Sequence, residues 1–144
     1  MSGATVNLLK LCVGADRVED LIDWQDARRA QNPRWETQHI TRMWPKREAE
    51  VLNGGSLYWV FKGLVLARQR ILRLDQRPGD DGVMRCAIVL DPEVVRTEPQ
   101  PRRPFQGWRY LPPDEAPRDL RASGPREEAL PPALAAALAE IGLR

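Results

Sequence analysis

An α+β fold, with a curved and mostly antiparallel sheet or a small β-barrel, is predicted by three features of this 144-residue sequence. Two β-rich runs, 56–62 (SLYWVFK) and 64–74 (LVLARQRILRL), meet at Lys62-Gly63 with no room for a crossover, which makes them an antiparallel hairpin. A helical stripe precedes them. Ten of the 13 prolines fall between 92 and 132, so few central strands are expected in that stretch. The expected inventory is two helices in the N-terminal half, the sheet, and one C-terminal helix. The organisation reads as one core domain over 1–111 and a Pro/Ala-rich extension over 112–144 ending in a short helix.

Taken in order, residues 5–13 (TVNLLKLCV) read as a strand that Gly14 breaks. Asp16 then suits an N-cap with Glu19 as its capping-box partner, and Val18, Leu21, Ile22 and Gln25 share one helical stripe. That predicts a helix over 16–31, stopped by Asn32-Pro33. Residues 36–44 are expected to be extended. Pro45 is expected to open a short helix over 46–53 that Gly54-Gly55 ends. In the hairpin, Leu57, Trp59 and Phe61 alternate with Tyr58, Val60 and Lys62. Turn chemistry at 78–82 (PGDDG) leads to a strand over 83–90, with Met84, Cys86, Ile88 and Leu90 on one side. Within the Pro-rich stretch, 105–111 (FQGWRYL) is the aromatic island expected to dock on the sheet, and a final Ala/Leu helix is expected over about 131–141.

Composition excludes several classes. Apolar residues at 42% and charged residues at 29% match a folded domain rather than a disordered one. No apolar run reaches the ~20 residues of a membrane helix. The first residues lack the basic and apolar regions of a secretory signal, so the expected location is cytoplasmic, with no membrane partner. Cys12 and Cys86 form no C-x-x-C pair and are expected to remain thiols. His39 is the single histidine, so a His-based metal cluster cannot form. Neither phosphate-cradling glycine motif occurs. No catalytic residue, cofactor or metal is expected.

The net charge of +2 conceals a basic segment: residues 34–77 carry nine Lys/Arg against four acids, whereas 16–26 carry five acids against Arg17. Cations also interleave with rings, at Arg42-Met43-Trp44-Pro45-Lys46-Arg47, at Tyr58-Trp59-Val60-Phe61-Lys62 and at Arg102-Arg103-Pro104-Phe105-Gln106-Gly107-Trp108-Arg109-Tyr110. Arginines supply phosphate contacts and exposed rings supply stacking platforms. This pattern points to a non-catalytic RNA-binding surface made of Arg42, Trp44, Lys46, Arg47, Tyr58, Arg68, Arg70, Arg103, Gln106, Trp108 and Arg109. The competing expectation is packing of the same rings within the core. Arg68 and Arg70 share a strand face with Leu66 and Leu72. They suit either an anion-binding cleft that includes His39 and Tyr58, serving a small ligand or an enzyme, or ion pairs with Glu48, Glu50 or Asp75. A protein-interaction scaffold is the third alternative.

The blocks LLKLCVGADRVEDLIDWQ, TRMWPKR, GGSLYWVFKGLVLARQRIL, LDPEVV and RRPFQGWRYL resemble a bacterial family, domain of unknown function 1489, through about residues 6–120. That resemblance implies no activity. In element order, with a short helix ending at glycines and feeding a hydrophobic strand and hairpin, the chain is also similar to the PUA-like and ASCH-like barrels. This second resemblance implies RNA or nucleobase binding by fold analogy alone.

Overall fold

The computed structural model describes residues 4–120. In chain order it contains β1 (Asn7–Leu11), α1 (Val18–Gln31), β2 (Gln38–Thr41), α2 (Glu48–Leu52), β3 (Ser56–Phe61), β4 (Leu64–Pro78), β5 (Met84–Leu90), β6 (Val95–Pro101), β7 (Trp108–Leu111) and a 3-10 turn, Pro113–Glu115. The seven strands form one sheet in the order β2-β5-β4-β3-β1-β7, with β6 added to β4. Every named pairing is antiparallel except β1 with β3. The expected curved α+β architecture is present. The expected C-terminal helix lies outside the described residues.

The β3–β4 hairpin turns where the sequence places it. Lys62 and Gly63 have φ of 48° and 85°, the two left-handed residues of a type I′ turn. Strand β4 is twice the usual length and changes partner along its course: its first half pairs with β3 and β6, and its second half with β5. Register shifts at Leu66 and at Leu72 mark the two bends. Each bulge adds one residue to β4 and turns the strand, so the ends of the sheet come round toward one another. His39 of β2 meets Trp59 of β3 edge-on, with ring centroids 5.6 Å apart. Trp108 of β7 donates its indole N–H to the carbonyl of Met43, just past β2, at 2.9 Å.

Inside the curl lies the core: Leu8, Leu57, Trp59, Phe61, Ile71, Ile88, Leu90 and Trp108, with Val18 and Leu21 of α1 and Val51 of α2. The helical stripe of α1 is as expected, with Val18, Leu21 and Gln25 buried. Gln25 and Gln69 exchange amide hydrogen bonds at 3.0 and 2.9 Å, and Gln69 also accepts from the Trp59 indole at 3.0 Å and donates to the Asp91 carbonyl at 3.1 Å. Four bonds satisfy one fully buried amide, and they fix the helix against the sheet.

Several expectations change. The cap of α1 is shifted by one residue: Arg17 is the N-cap, and the Asp20 carboxylate accepts from the amides of Asp16 and Arg17 at 2.9 and 3.0 Å. Helix α2 begins at Glu48 rather than after Pro45, which is buried. The proline-rich stretch holds a strand, β6. It is tolerated because β6 lies off the main sheet path and Pro99 sits in the register shift opposite Leu66, where no ladder donor is needed. On β5, Cys86, Ile88 and Leu90 face the core as expected, but Met84 pairs with Pro78 beyond it and is exposed.

Gly55 has no substitute. A Cβ there would lie 2.4 Å from the Val6 carbonyl oxygen and 2.5 Å from that of Val51. The close approach seats α2 against the start of β3 and so determines where Ser56 emerges.

Candidate functional site: a basic outer face and an inner cleft

The sheet register places the sequence-selected residues. On the outer face, away from the core, one row runs Arg109 (β7), Leu9 (β1), Tyr58 (β3), Arg68 (β4), and the next runs Leu111, Asn7, Ser56, Arg70. A second apolar cluster, Leu9, Tyr58, Val60, Val65 and Leu111, with Phe105 and Ala116 packed on it, covers part of this face. The rest is an open, polar groove of about 510 Å³ whose lining includes Asn7, Ser56, Tyr58, Arg68, Arg70 and Arg118.

Residues 112–120 cross this groove as a strap. Asp119 grips Arg68 with both oxygens, at 2.8 and 2.7 Å, while a further Arg68 N–H donates to the Ser56 hydroxyl at 3.0 Å. Thr97 and Asp119 form a β-bridge, and the Leu120 amide donates to the Arg96 carbonyl. The carboxylate raises the proton affinity of Arg68 further above its ordinary value. Arg68 is therefore ion-paired, as one alternative had it, but to Asp119 rather than to Glu48, Glu50 or Asp75. Leu66 and Leu72 do not flank it on one face, because each sits at a bulge: Leu66 turns into the core, and Leu72 is 51% exposed. Arg70 and Arg118 are exposed and have no acidic partner among the described residues.

The second basic–aromatic locus is a seam between residues that lie 63 and 65 positions apart in the chain. Besides the Trp108–Met43 bond, the amide of Arg47 donates to the Tyr110 hydroxyl at 3.0 Å, and the Arg47 guanidinium lies 5.1 Å from the Tyr110 ring. The Trp44 indole donates to Glu48 at 3.0 Å. Arg42, Lys46, Gln106 and Arg109 flank this seam in sequence and stay exposed, as does Arg103, and Arg109 stacks on Phe105 at 5.5 Å. Arg47 is exposed but paired with Glu50. The rings behave otherwise than a stacking surface requires. Trp108 is 5% exposed and Tyr58 is 7% exposed, so both serve packing. Trp44 is half-buried against the core.

His39 belongs to neither locus. It faces inward, with Trp59, so the imagined cleft uniting His39 with Tyr58, Arg68 and Arg70 is two separate sites on opposite faces of the sheet. Its own cleft, about 270 Å³, lies between the end of β1, α1 and β2. Burial, with help from the Lys10 charge, pushes the His39 imidazole down to about 4, so the ring is neutral near pH 7. The neighbouring Cys12 thiol is pushed up to about 12 by burial, and Cys86 to about 11, which removes thiolate chemistry near neutrality. Both cysteines are free thiols.

With this geometry in view, comparison by family places the chain. A family model described as "Protein of unknown function (DUF1489)" matches residues 8–144. The chain belongs to that family. The match extends past the sequence blocks quoted above and takes in the strap over the outer groove. No curated protein and no solved structure matches this DUF1489 chain, and the likeness to PUA-like barrels expected from element order is not shown. Among the described residues, no helix is long and apolar enough to cross a membrane.

The Gln25–Gln69–Trp59 network and the Arg68–Asp119 pair went unread in the sequence. Glutamine on a helical stripe carried a signal for the first. Nothing local pointed to the second, whose partners are 51 residues apart.

Proposed function

We propose that this DUF1489 chain binds single-stranded RNA through phosphate contacts, along a path from the seam at Arg42, Lys46 and Arg109 across the outer face to Arg70 and Arg118. The observation that carries this reading is the stitching of two basic segments by Trp108 and Tyr110, which gathers exposed cations from distant parts of the chain around one edge strand. Arg109 and Arg68 stand in one row across β7, β1, β3 and β4. Three strand spacings separate them by about 14 Å, a span of a few nucleotides. The buried tryptophans support the surface from beneath rather than stacking on bases, so affinity comes from charge and depends steeply on salt.

The test is fluorescence anisotropy with a labelled oligouridylate over a salt series. Wild type binds at low salt, and Lys46→Ala and Arg109→Ala each flatten the log–log salt slope by about 0.7, the value of one phosphate contact in a single strand. Trp108→Ala serves as the stability control, since removing a buried indole costs about 3–5 kcal/mol. Absence of RNA binding by wild type at low salt, or variants that bind as wild type does, would overturn the reading.

A further inference from the structure

The inner cleft is independent of the RNA surface and lies on the opposite face of the sheet. Its walls are largely apolar, with Leu11, Val13, Leu21, Trp24 and Trp59, and its lining also carries two polar side chains not engaged by an acid. One is His39, whose Nε2 is buried without any hydrogen-bond partner. A buried polar atom left unpaired is destabilising, and a bound partner would relieve it. The other is Lys10. Its ammonium group has one hydrogen bond, a 3.3 Å contact to the carbonyl of the next residue, Leu11, and no acidic partner among the described residues. Asp20 also lines the cleft, but its carboxylate is engaged by the amides of Asp16 and Arg17 and by the Arg17 side chain.

The cleft is shaped before any ligand arrives. Trp24 stands at its rim, 49% exposed, and is held edge-on against Trp35 with centroids 5.9 Å apart. The Arg28 guanidinium lies 5.3 and 5.2 Å from the two rings. Trp59 is fixed by its bond to Gln69. At about 270 Å³ the space is slightly below the ~300–1,000 Å³ of sites for drug-sized ligands, and it suits a single ring. An ammonium without an acidic partner and an imidazole nitrogen without a hydrogen bond, in one lining with two indoles, match a flat apolar body with an anionic end.

We infer that this cleft is a binding site for a small single-ring aromatic carboxylate, its carboxylate received by Lys10 and His39 and its ring held between Trp24 and Trp59. The neutral imidazole donates from Nε2 to one oxygen, in the tautomer that the ligand selects. The Lys10 ammonium donates to the other oxygen in a charge-assisted hydrogen bond. No bond is made or broken.

Benzoate is the probe and benzamide, its neutral isostere, the comparison. Amide and indole shifts of the isotope-labelled protein are followed by NMR during titration. Benzoate is expected to bind with a Kd of about 1 mM or tighter, in line with the efficiency of small ligands. The shifts should centre on Lys10, Cys12, His39 and the indoles of Trp24 and Trp59. Benzamide should bind at least about tenfold more weakly, as should benzoate to Lys10→Met, each having lost the charge-assisted bond. His39→Phe keeps the ring against Trp59 and should weaken benzoate without disturbing the rest of the spectrum. The inference is overturned if benzoate produces no shifts at about 10 mM, well above the expected Kd. It is equally overturned if benzamide matches benzoate, or if the shifts fall around Arg68 and Arg70. None of these outcomes depends on RNA binding.

Discussion

Strand β3 is buried on both faces, but by different means. Its inner residues Leu57, Trp59 and Phe61 enter a continuous apolar core beneath α1, where the polar atoms of Trp59, Gln25 and Gln69 pair among themselves. Its outer residues Ser56, Tyr58 and Val60 meet a small cluster and a strap held by one ion pair and a short β-bridge, with guanidinium groups beside them. Inside, a polar atom without a partner is trapped. Outside, an unpaired charge stays solvated. The same strand thus supports a rigid interior, where stability is concentrated, and an exterior where charges remain available. Removing equivalent polar contacts should therefore have unequal consequences on the two faces.

The largest effect is expected from Gln69→Leu, which leaves the Gln25 amide and the Trp59 N–H buried without partners at about 1–3 kcal/mol for each stranded group. Urea unfolding measures the loss, and the Gln25→Leu/Gln69→Leu double variant should recover part of it, since two paired amides then become two apolar groups. A double variant less stable than Gln69→Leu alone would show that the network does not act as a unit.

Next in size is the pH response of His39. In the fold the imidazole titrates at about 4, against an ordinary 6.5, because of burial and then Lys10. Below pH 6.5 the unfolded chain therefore takes up a proton that the folded chain does not. Stability falls as pH drops from about 6.5 to about 4 and levels off below, with a total of at most about 3 kcal/mol. Unfolding of wild type and His39→Phe at pH 7 and pH 5 isolates this contribution, because the variant should lose the slope. Identical slopes would place the imidazole in water.

The smallest effect is expected on the outer face. Asp119→Asn weakens a half-exposed ion pair and should cost no more than about 1 kcal/mol. Hydrogen exchange of residues 113–120 should nevertheless quicken, as the strap loses its grip on Arg68, while β3 amides stay protected. Exchange that rises equally across the sheet would mean that the strap is part of the core.

Much of the architecture was legible because it depends on neighbours in sequence. The β3–β4 hairpin follows from two adjacent β-rich runs and a Lys-Gly turn, and α1 from its apolar stripe. Strand β6 was hidden by its prolines, which forbid a central strand but not a strand paired on one edge with a bulge at the proline. The proposed surface was half legible. Arg42, Lys46, Arg103 and Arg109 are exposed as a basic surface needs, whereas Trp108 and Tyr58, chosen in the same pattern, are buried. Alternation along a strand separates two faces, but it does not say that both are covered.

From the sequence alone came the fold class, the helix stripe, the hairpin and its turn, and the thiols without partners, because each rests on local periodicity, backbone preference or composition. The tertiary structure decided the rest. Bulges at Leu66 and Leu72 curl the sheet until His39 meets Trp59, and Trp108 reaches Met43 across the gap. That closure divides one imagined site into an outer groove and an inner cleft. It also selects Asp119, far along the chain, as the partner of Arg68. The physical reason is common to all three: long-range packing determines which polar groups water can still reach, and no local pattern in the chain encodes that.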